Sequence, residues 1–319
     1  MLRFLLRRLL SLVLVLFVAS VLIFAIIRLI PGDPASTLAG PDATPDMVRA
    51  IRHQLGLDRS LPAQYGHWLG QVFTLHLGRS YLIGGEVADL VRTGLGNTVL
   101  LTGTALLIAV LLALVFGPLW AASRNRFLDA VLTGVNTVAV ALPPFVSGVL
   151  LVLLFGVVVP VLPVGGVPPK GYLAEPDITV QYLVMPAVCL ALPVAAVLTR
   201  YLAETLRTEL RAPYVTMARS LGVPRRRIVL RHALRNALPA SVTVFGVQVG
   251  QLLGGAVLVE AVFAWPGLGQ LIEQGISRRD YPVVQVLMLL SVAVFVLAQL
   301  VTDVVHVLLD PRVRMGGVR

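Results

Sequence analysis

Lysine is almost missing from this sequence. Lys170 is the only one, and it lies in Pro169-Lys170-Gly171 rather than behind a glycine-rich turn and ahead of a serine or threonine. A phosphate-cradling loop of the Walker A type is therefore excluded. Cysteine is as scarce: Cys189 stands alone, which rules out an intrachain disulfide and any multi-thiolate metal centre. Its place in an apolar run gives it the default role of a small packing residue. The histidines, His53, His67, His76, His232 and His306, are scattered, and neither a His-Glu-x-x-His zinc pattern nor a Gly-x-Ser-x-Gly nucleophile elbow occurs. No residue is expected to make or break bonds, and no metal site is expected.

Charge is also in short supply. Only 13% of residues are charged and 57% are hydrophobic, where a soluble domain carries about 25% charged residues. Such a chain cannot cover its surface for water. Six stretches contain no Asp, Glu, Lys or Arg: residues 9–27, 93–123, 130–169, 178–199, 236–259 and 281–302. Each reaches or exceeds the roughly 18 residues of a transmembrane candidate, and one small soluble domain could not bury all six. The first follows Arg3, Arg7 and Arg8. Its 19 uncharged residues exceed the ~7–15 of a secretory signal core, and no small-x-small cleavage site follows Ile30, so it is retained as a span. No charge lies mid-span, so no proton or sodium relay is evident.

The arginines orient these spans. With both termini on the cytoplasmic side, 17 basic residues fall on that side, nine of them between Arg200 and Arg235, against eight on the other. Short loops thus obey the positive-inside rule, and the long 31–96 segment is expected to translocate regardless of its charge. The net charge of +10 is topological rather than a footprint for nucleic acid, because the arginines flank spans instead of forming one soluble basic face.

The reading that results is an all-α integral membrane protein with six transmembrane helices. Residues 1–30 form an N-terminal tail and first span. Residues 31–96 form an extracytoplasmic cap, with a helix expected from Pro45 to Leu55 and with Tyr65, Trp68 and Tyr81 at the membrane interface. A five-helix core covers 97–308, and 309–319 is a cytoplasmic tail. Prolines recur inside the spans, at Pro118, Pro143-Pro144, Pro186, Pro193 and Pro239, where neighbours or cavity water must satisfy the freed carbonyls. In the fifth span Ser241, Gln248 and Gln251 fall near one helical face, with Gly246, Gly250, Gly254 and Gly255 on the others. The glycines permit close helix approach. The polar stripe fits either a substrate path or hydrogen bonds that hold the bundle together, and Asn136 and Ser147 in the third span pose the same choice.

Residues 204–236 are long for a connection between the fourth and fifth spans. A helix is expected over Arg207–Leu221, a turn at Gly222-Val223-Pro224, and another helix over Arg225–Leu238. By charge alone this loop could equally fix topology against anionic headgroups. The order of residues is more specific. Tyr214-Val215-Thr216-Met217-Ala218-Arg219-Ser220-Leu221-Gly222, then Arg231-His232-Ala233-Leu234-Arg235-Asn236-Ala237-Leu238-Pro239, resembles the EAA loop of ABC importer permeases. Within these it is similar to the dipeptide, oligopeptide and nickel permease family, in its first-permease form. Ile30-Pro31-Gly32-Asp33-Pro34 after span one, Glu260-x-x-Phe263-x-x-Pro266-Gly267-x-Gly269 after span five, and Leu309-Asp310-Pro311-Arg312 strengthen the likeness.

The resemblance implies a permease subunit of an ATP-driven importer in the bacterial inner membrane. It implies a second homologous permease, two ATPase domains or subunits and an extracytoplasmic substrate-binding protein as partners. ATP and Mg are then bound by the partner ATPase, with no cofactor in this chain. Di- and oligopeptides are the leading substrates. The EAA helix of such proteins lies along the cytoplasmic face and docks in a groove of the ATPase. Carried over by position, Arg211, Tyr214, Thr216, Met217, Ala218, Arg219, Gly222, His232 and Asn236 form that coupling surface. Thr216-Met217-Ala218 stands where the wider superfamily has Glu-Ala-Ala, so no glutamate salt bridge is implied. The rival reading, a stand-alone secondary transporter or channel, would call for inverted repeats or midplane charges, and none is visible.

Overall fold

A computed structural model describes residues 2–29, 33–39, 42–54, 56–80, 82–169, 171–172 and 174–309. Lys170, Tyr81, the Ile30-Pro31-Gly32 part of the first motif and Asp310-Pro311-Arg312 lie outside the described residues. The chain runs through α1 (Leu2–Leu29), α2 (Pro34–Ala39), α3 (Pro45–Gln54), α4 (Leu61–Phe73), α5 (Val87–Ala122), α6 (Arg126–Ala141) and α7 (Pro144–Leu151), which continues as a π-helical turn, Val152–Val158. Then follow α8 (Pro176–Glu209), α9 (Pro213–Ser220), α10 (Arg225–Arg227), a second π-helical turn (Ile228–Ala233), α11 (Leu234–Val262), α12 (Leu268–Arg278) and α13 (Tyr281–Leu309).

Five helical stretches among the described residues are long and apolar enough to cross a membrane, and a sixth arises if the bent pair Arg126–Ala141 and Pro144–Val158 is one span. This pair, from the charge-free run 130–169, turns by 105°. Leu142 and Pro143 are both extended because a residue that precedes proline is driven out of the helical region, and Pro144 then starts α7. Pro118, Pro186, Pro193 and Pro239 sit inside continuous helices instead.

The contacts divide the chain into two units, residues 1–98 with 266–296, and residues 99–265 with 297–319. In the first, Phe24 of α1 packs edge-on against Tyr65 of α4, with ring centroids 5.4 Å apart, and Trp68 closes the trio. Ser20 and Tyr65 share a hydrogen bond of 2.8 Å. Tyr65 and Trp68 therefore fasten α4 to the C-terminal part of α1. Val87, Leu268, Val283, Val286 and Leu287 make a second apolar cluster. Asn97 donates to Pro266 O and the Leu268 amide donates to Thr98 Oγ1, so α12 is tied to the start of α5. α5 begins at Val87, ten residues inside the 31–96 segment.

In the second unit α8 is the central helix, with Ala187, Cys189, Ala191 and Leu206 fully buried along it. Leu101, Ala105, Ala109 and Ala113, four residues apart along α5, and Cys189, Ala191 and Ala195 of α8 belong to one cluster with Val259, Phe263 and Trp265. Small side chains at this spacing let helices approach closely, as membrane bundles require. Gly246 does so most tightly: a Cβ there would overlap the side chain of Thr302. Gly255 is only in ordinary contact with Leu190 and Pro144, and Gly254 faces open space. Gly246→Leu is therefore expected to destabilise the folded chain by about 1–3 kcal/mol, the usual range for overpacking. Thermal unfolding in detergent would register it, and Thr302→Gly in the same chain should recover part of the loss.

Candidate functional site

The segment between α8 and α11 folds from local rules. α8 extends to Glu209, and Leu210–Ala212 break the helix because Ala212 precedes Pro213 and is extended (φ −66°, ψ 150°). The single helix expected over Arg207–Leu221 is thus two: the last turn of α8 and the eight-residue α9. Gly222, at φ 76°, ends α9 in the left-handed conformation. The Val223 amide donates to Ala218 O and the Gly222 amide to Arg219 O, both at 3.0 Å. These are the two bonds of a Schellman cap, which occupy carbonyls the helix end would leave free. Gly222 and Ala218 are therefore coupled through backbone geometry as well as sequence.

α9 is held from both sides. The Tyr214 hydroxyl donates to Glu209 Oε2 at 2.7 Å and also bonds to the Asn236 side chain. Partial burial, and next the Glu209 carboxylate, hold its phenol above the ordinary value, so it stays neutral at physiological pH. Val215 is fully buried beneath the helix. On the other face Thr216, Met217 and Arg219 are exposed, with Ala218 half-buried, and Arg211, Gly222 and His232 are exposed as well. The residue that motif matching did not single out is Leu221. It is 71% exposed and Met217 is 65% exposed, so two apolar side chains four residues apart stand off a short, otherwise polar surface. The signal was present in the sequence as an apolar i, i+4 pair beside a turn glycine.

The surrounding platform is pinned by arginines. Arg207 pairs with Asp129 at 2.7 Å and lies over the Trp120 ring, 5.5 Å from its centroid, while Trp120 Nε1 donates to the same carboxylate oxygen. Arg225 Nη2 donates to Ala122 O at the end of α5, where a cation is favoured by the helix dipole. Arg226, Arg227, Arg231 and Arg235 remain exposed, whereas Ile228 and Val229 are buried. The result is a firmly mounted basic surface carrying an apolar knob.

The span residues fall in different settings. Asn136 is buried and donates to Ala196 O at 2.6 Å, tying α6 to α8. Ser147 is buried and donates to Pro144 O. Ser241 is half-buried and back-bonds to Ala237 O, Gln248 is buried, and Gln251 is exposed. The structure does not gather these five into one site. In the motif after the fifth span, Glu260 and Phe263 are buried at the end of α11, and the Trp265 amide donates to Glu260 O. Gly166 donates its amide to Phe263 O at 2.8 Å, and a Cβ on the adjacent Gly165 would overlap that carbonyl. Pro266, Gly267 and Gly269 belong to the other unit. There Gly267 caps α12, and Gly94 lies so close to Leu271 that a Cβ would come within 2.7 Å of it. These glycines therefore permit close packing and need no catalytic explanation. Among the described residues no group of three or more His, Cys, Asp and Glu side chains could hold a metal ion.

Comparison with known proteins places this arrangement. Residues 109–315 match the family described as binding-protein-dependent transport system inner membrane component, and residues 1–102 match its N-terminal companion family. The glutathione transport system permease protein GsiC of Escherichia coli O6:H1 (strain CFT073) is 36% identical over 314 residues, covering 98% of this chain and 99% of that protein. GsiC of Escherichia coli strain K12 matches to the same extent. Among solved structures, a chain of the MetNI methionine ABC transporter in inward-facing conformations aligns with a TM-score of 0.54 at 20% identity. That alignment covers 69% of this chain and 96% of the other, and it is a likeness of fold.

Proposed function

The chain belongs to the family of binding-protein-dependent transport system inner membrane components, and from that premise we propose that it forms half of a passage for short peptides and couples that passage to ATP hydrolysis through α9. It is a multi-pass inner-membrane permease subunit of an ABC importer, not itself catalytic, and it works with a partner ATPase and a substrate-binding protein. The finer reading adds a second homologous permease, two ATPase domains that bind ATP and Mg, and both termini in the cytoplasm. Short peptides, tripeptides such as glutathione among them, are the proposed cargo, in keeping with the glutathione permeases it resembles.

The observation that carries the coupling role is the mounting of α9. A helix too short to be stable alone is fixed by Tyr214, Val215 and the Gly222 cap, and it presents Met217 and Leu221 to a partner. Apolar side chains left in the open on a basic cytoplasmic surface fit a groove in another protein. Closure of the ATPase dimer would move α9 and, through the Tyr214 contacts with Glu209 and Asn236, the ends of α8 and α11. The remaining site residues, Arg211, Thr216, Ala218, Arg219 and His232, line the same contact. Asn136, Ser147, Ser241, Gln248 and Gln251 are retained as passage candidates, with bundle-holding hydrogen bonds as their alternative.

Copurification and uptake test this together. The chain is expected to bring an ATPase with it, and proteoliposomes containing the assembly should take up radiolabelled di- or tripeptide only with ATP and the binding protein. Vanadate should block that uptake. Gradient-driven uptake by the purified chain alone would instead establish the secondary-transporter reading.

A further inference from the structure

A cavity of about 260 Å³ opens at the C-terminal end of α1, walled by the last turn of that helix, by α4, by Leu77, Gly78, Arg79 and Leu82, and by the start of α13 with the two residues before it. Four of the residues that line it each carry a buried side-chain atom with no hydrogen-bond partner among the described residues: Arg28 Nε, Trp68 Nε1, Gln64 Oε1 and Asp280 Oδ1. Buried polar atoms are paired in about 90% of cases or more, so four around one space are informative. Two of them donate and two accept.

The charges sort in the same way. Arg28, Arg59, Arg79 and Arg279 line the cavity, against the single carboxylate of Asp280. Arg79 is neutralised by Glu86 at 3.2 Å, and the Arg28 guanidinium lies over the Phe24 ring. Neither Arg59 nor Arg279 has a carboxylate partner among the described residues. Asp280 spends Oδ2 on Ser80 Oγ and on the Leu82 and Ile83 amides, and its Oδ1 has no hydrogen-bond partner among the described residues. The lining thus carries a surplus of positive charge, with Arg59, Arg79 and Arg279 exposed.

We propose that this cavity binds a small zwitterionic group carrying an anion and a primary ammonium. The anion, a carboxylate or a phosphate, accepts from Arg28 Nε and Trp68 Nε1, with Arg59 and Arg279 supplying the balancing charge. The ammonium donates to Asp280 Oδ1 and Gln64 Oε1. The volume lies below the ~300–1,000 Å³ of sites for drug-sized ligands, which suits a short group rather than a long one. Two sources present this chemistry: a free amino acid or short peptide, and the headgroup of an ethanolamine phospholipid. The inference rests on the cavity alone and stands apart from the peptide-import reading.

The full-length chain in phosphatidylcholine nanodiscs would be titrated with radiolabelled alanyl-alanine by equilibrium dialysis. N-acetyl-alanyl-alanine and alanyl-alanine amide, which lack the ammonium and the carboxylate respectively, serve as singly capped analogues. In a second arm the chain is placed in mixed phosphatidylethanolamine and phosphatidylcholine nanodiscs, and native mass spectrometry counts retained lipid of each kind. Saturable binding of alanyl-alanine, or selective retention of the ethanolamine lipid, is expected. Either capped analogue, or the choline headgroup with its quaternary nitrogen, should bind about tenfold more weakly, the loss of one charge-assisted contact. Trp68→Phe, which removes the indole N–H and keeps a ring against Phe24, and Arg28→Gln should each weaken the zwitterion to about the same degree. Binding of the dipeptide identifies a free solute as the source, and retention of the lipid identifies the headgroup. Failure of both zwitterions to bind, or binding indifferent to capping or to the two substitutions, overturns the proposal.

Discussion

Gly222→Pro is expected to leave the chain inserted in the membrane and to cut ATP-driven uptake by at least an order of magnitude. Proline fixes φ near −65°, whereas Gly222 sits at 76° and donates its amide to Arg219 O. The substitution reverses the sign of one dihedral and deletes one bond of the Schellman cap, a local cost of about 3 kcal/mol or more. Met217 and Leu221 would no longer be presented together. The spans themselves are untouched, since Gly222 is exposed and no side chain lies within 4 Å of its added Cβ. Gly222→Ala should fall between, because a left-handed L-residue costs about 1–2 kcal/mol. Ala218→Trp should give the proline phenotype by a different route, with bulk on the proposed docking face and the cap intact. The measurement is uptake in proteoliposomes beside basal ATPase rate, with assembly checked by copurification. Full uptake by a normally assembled Gly222→Pro transporter would remove α9 from the coupling role.

The second large effect is structural and lies in the other unit. Asp280→Ala takes away the acceptor of Ser80 Oγ and of the Leu82 and Ile83 amides, at a position only 2% exposed. Orphaned buried donors cost about 1–3 kcal/mol each. The Ser80 hydroxyl still accepts from the Ile83 and Gly84 amides, so the turn loses its anchor before it loses its shape. Hydrogen exchange should register faster exchange at residues 82 and 83 by about two orders of magnitude, equivalent to roughly 2.7 kcal/mol. Asp280→Asn keeps an oxygen acceptor and should lose much less. Unchanged protection in the alanine variant would mean that the turn is held by its own hydroxyl and backbone bonds.

Much of this architecture was legible because its causes are local. A charge-free run of sufficient length has one low-energy home, and the six runs reappear as five long helices and one bent pair. The expected helix from Pro45 is observed as Pro45–Gln54, and the turn at Gly222 is observed with the positive φ that favours glycine. Pro213 carried the signal for the break that separates α9 from α8, and Pro143-Pro144 the signal for the 105° bend. Proline alone does not decide between break and kink. Pro186 and Pro193 sit inside the well-packed α8, where the neighbouring helices hold the chain helical. Helical phase placed Ser241, Gln248 and Gln251 on one face, but packing buries Gln248 and leaves Gln251 exposed.

Composition and arginine distribution determined by themselves that this chain lives in a membrane, and residue order around Ala218 and Gly222 pointed to an ATPase-coupled permease. Both follow from desolvation cost and short-range backbone geometry, which act within a few residues. Only the tertiary structure joined Ser80 to Asp280 across 200 positions and gathered Arg28, Gln64, Trp68 and Asp280 around one cavity. No periodicity encodes such meetings, because partners far apart in sequence are chosen by the packing of whole helices rather than by their neighbours in the chain.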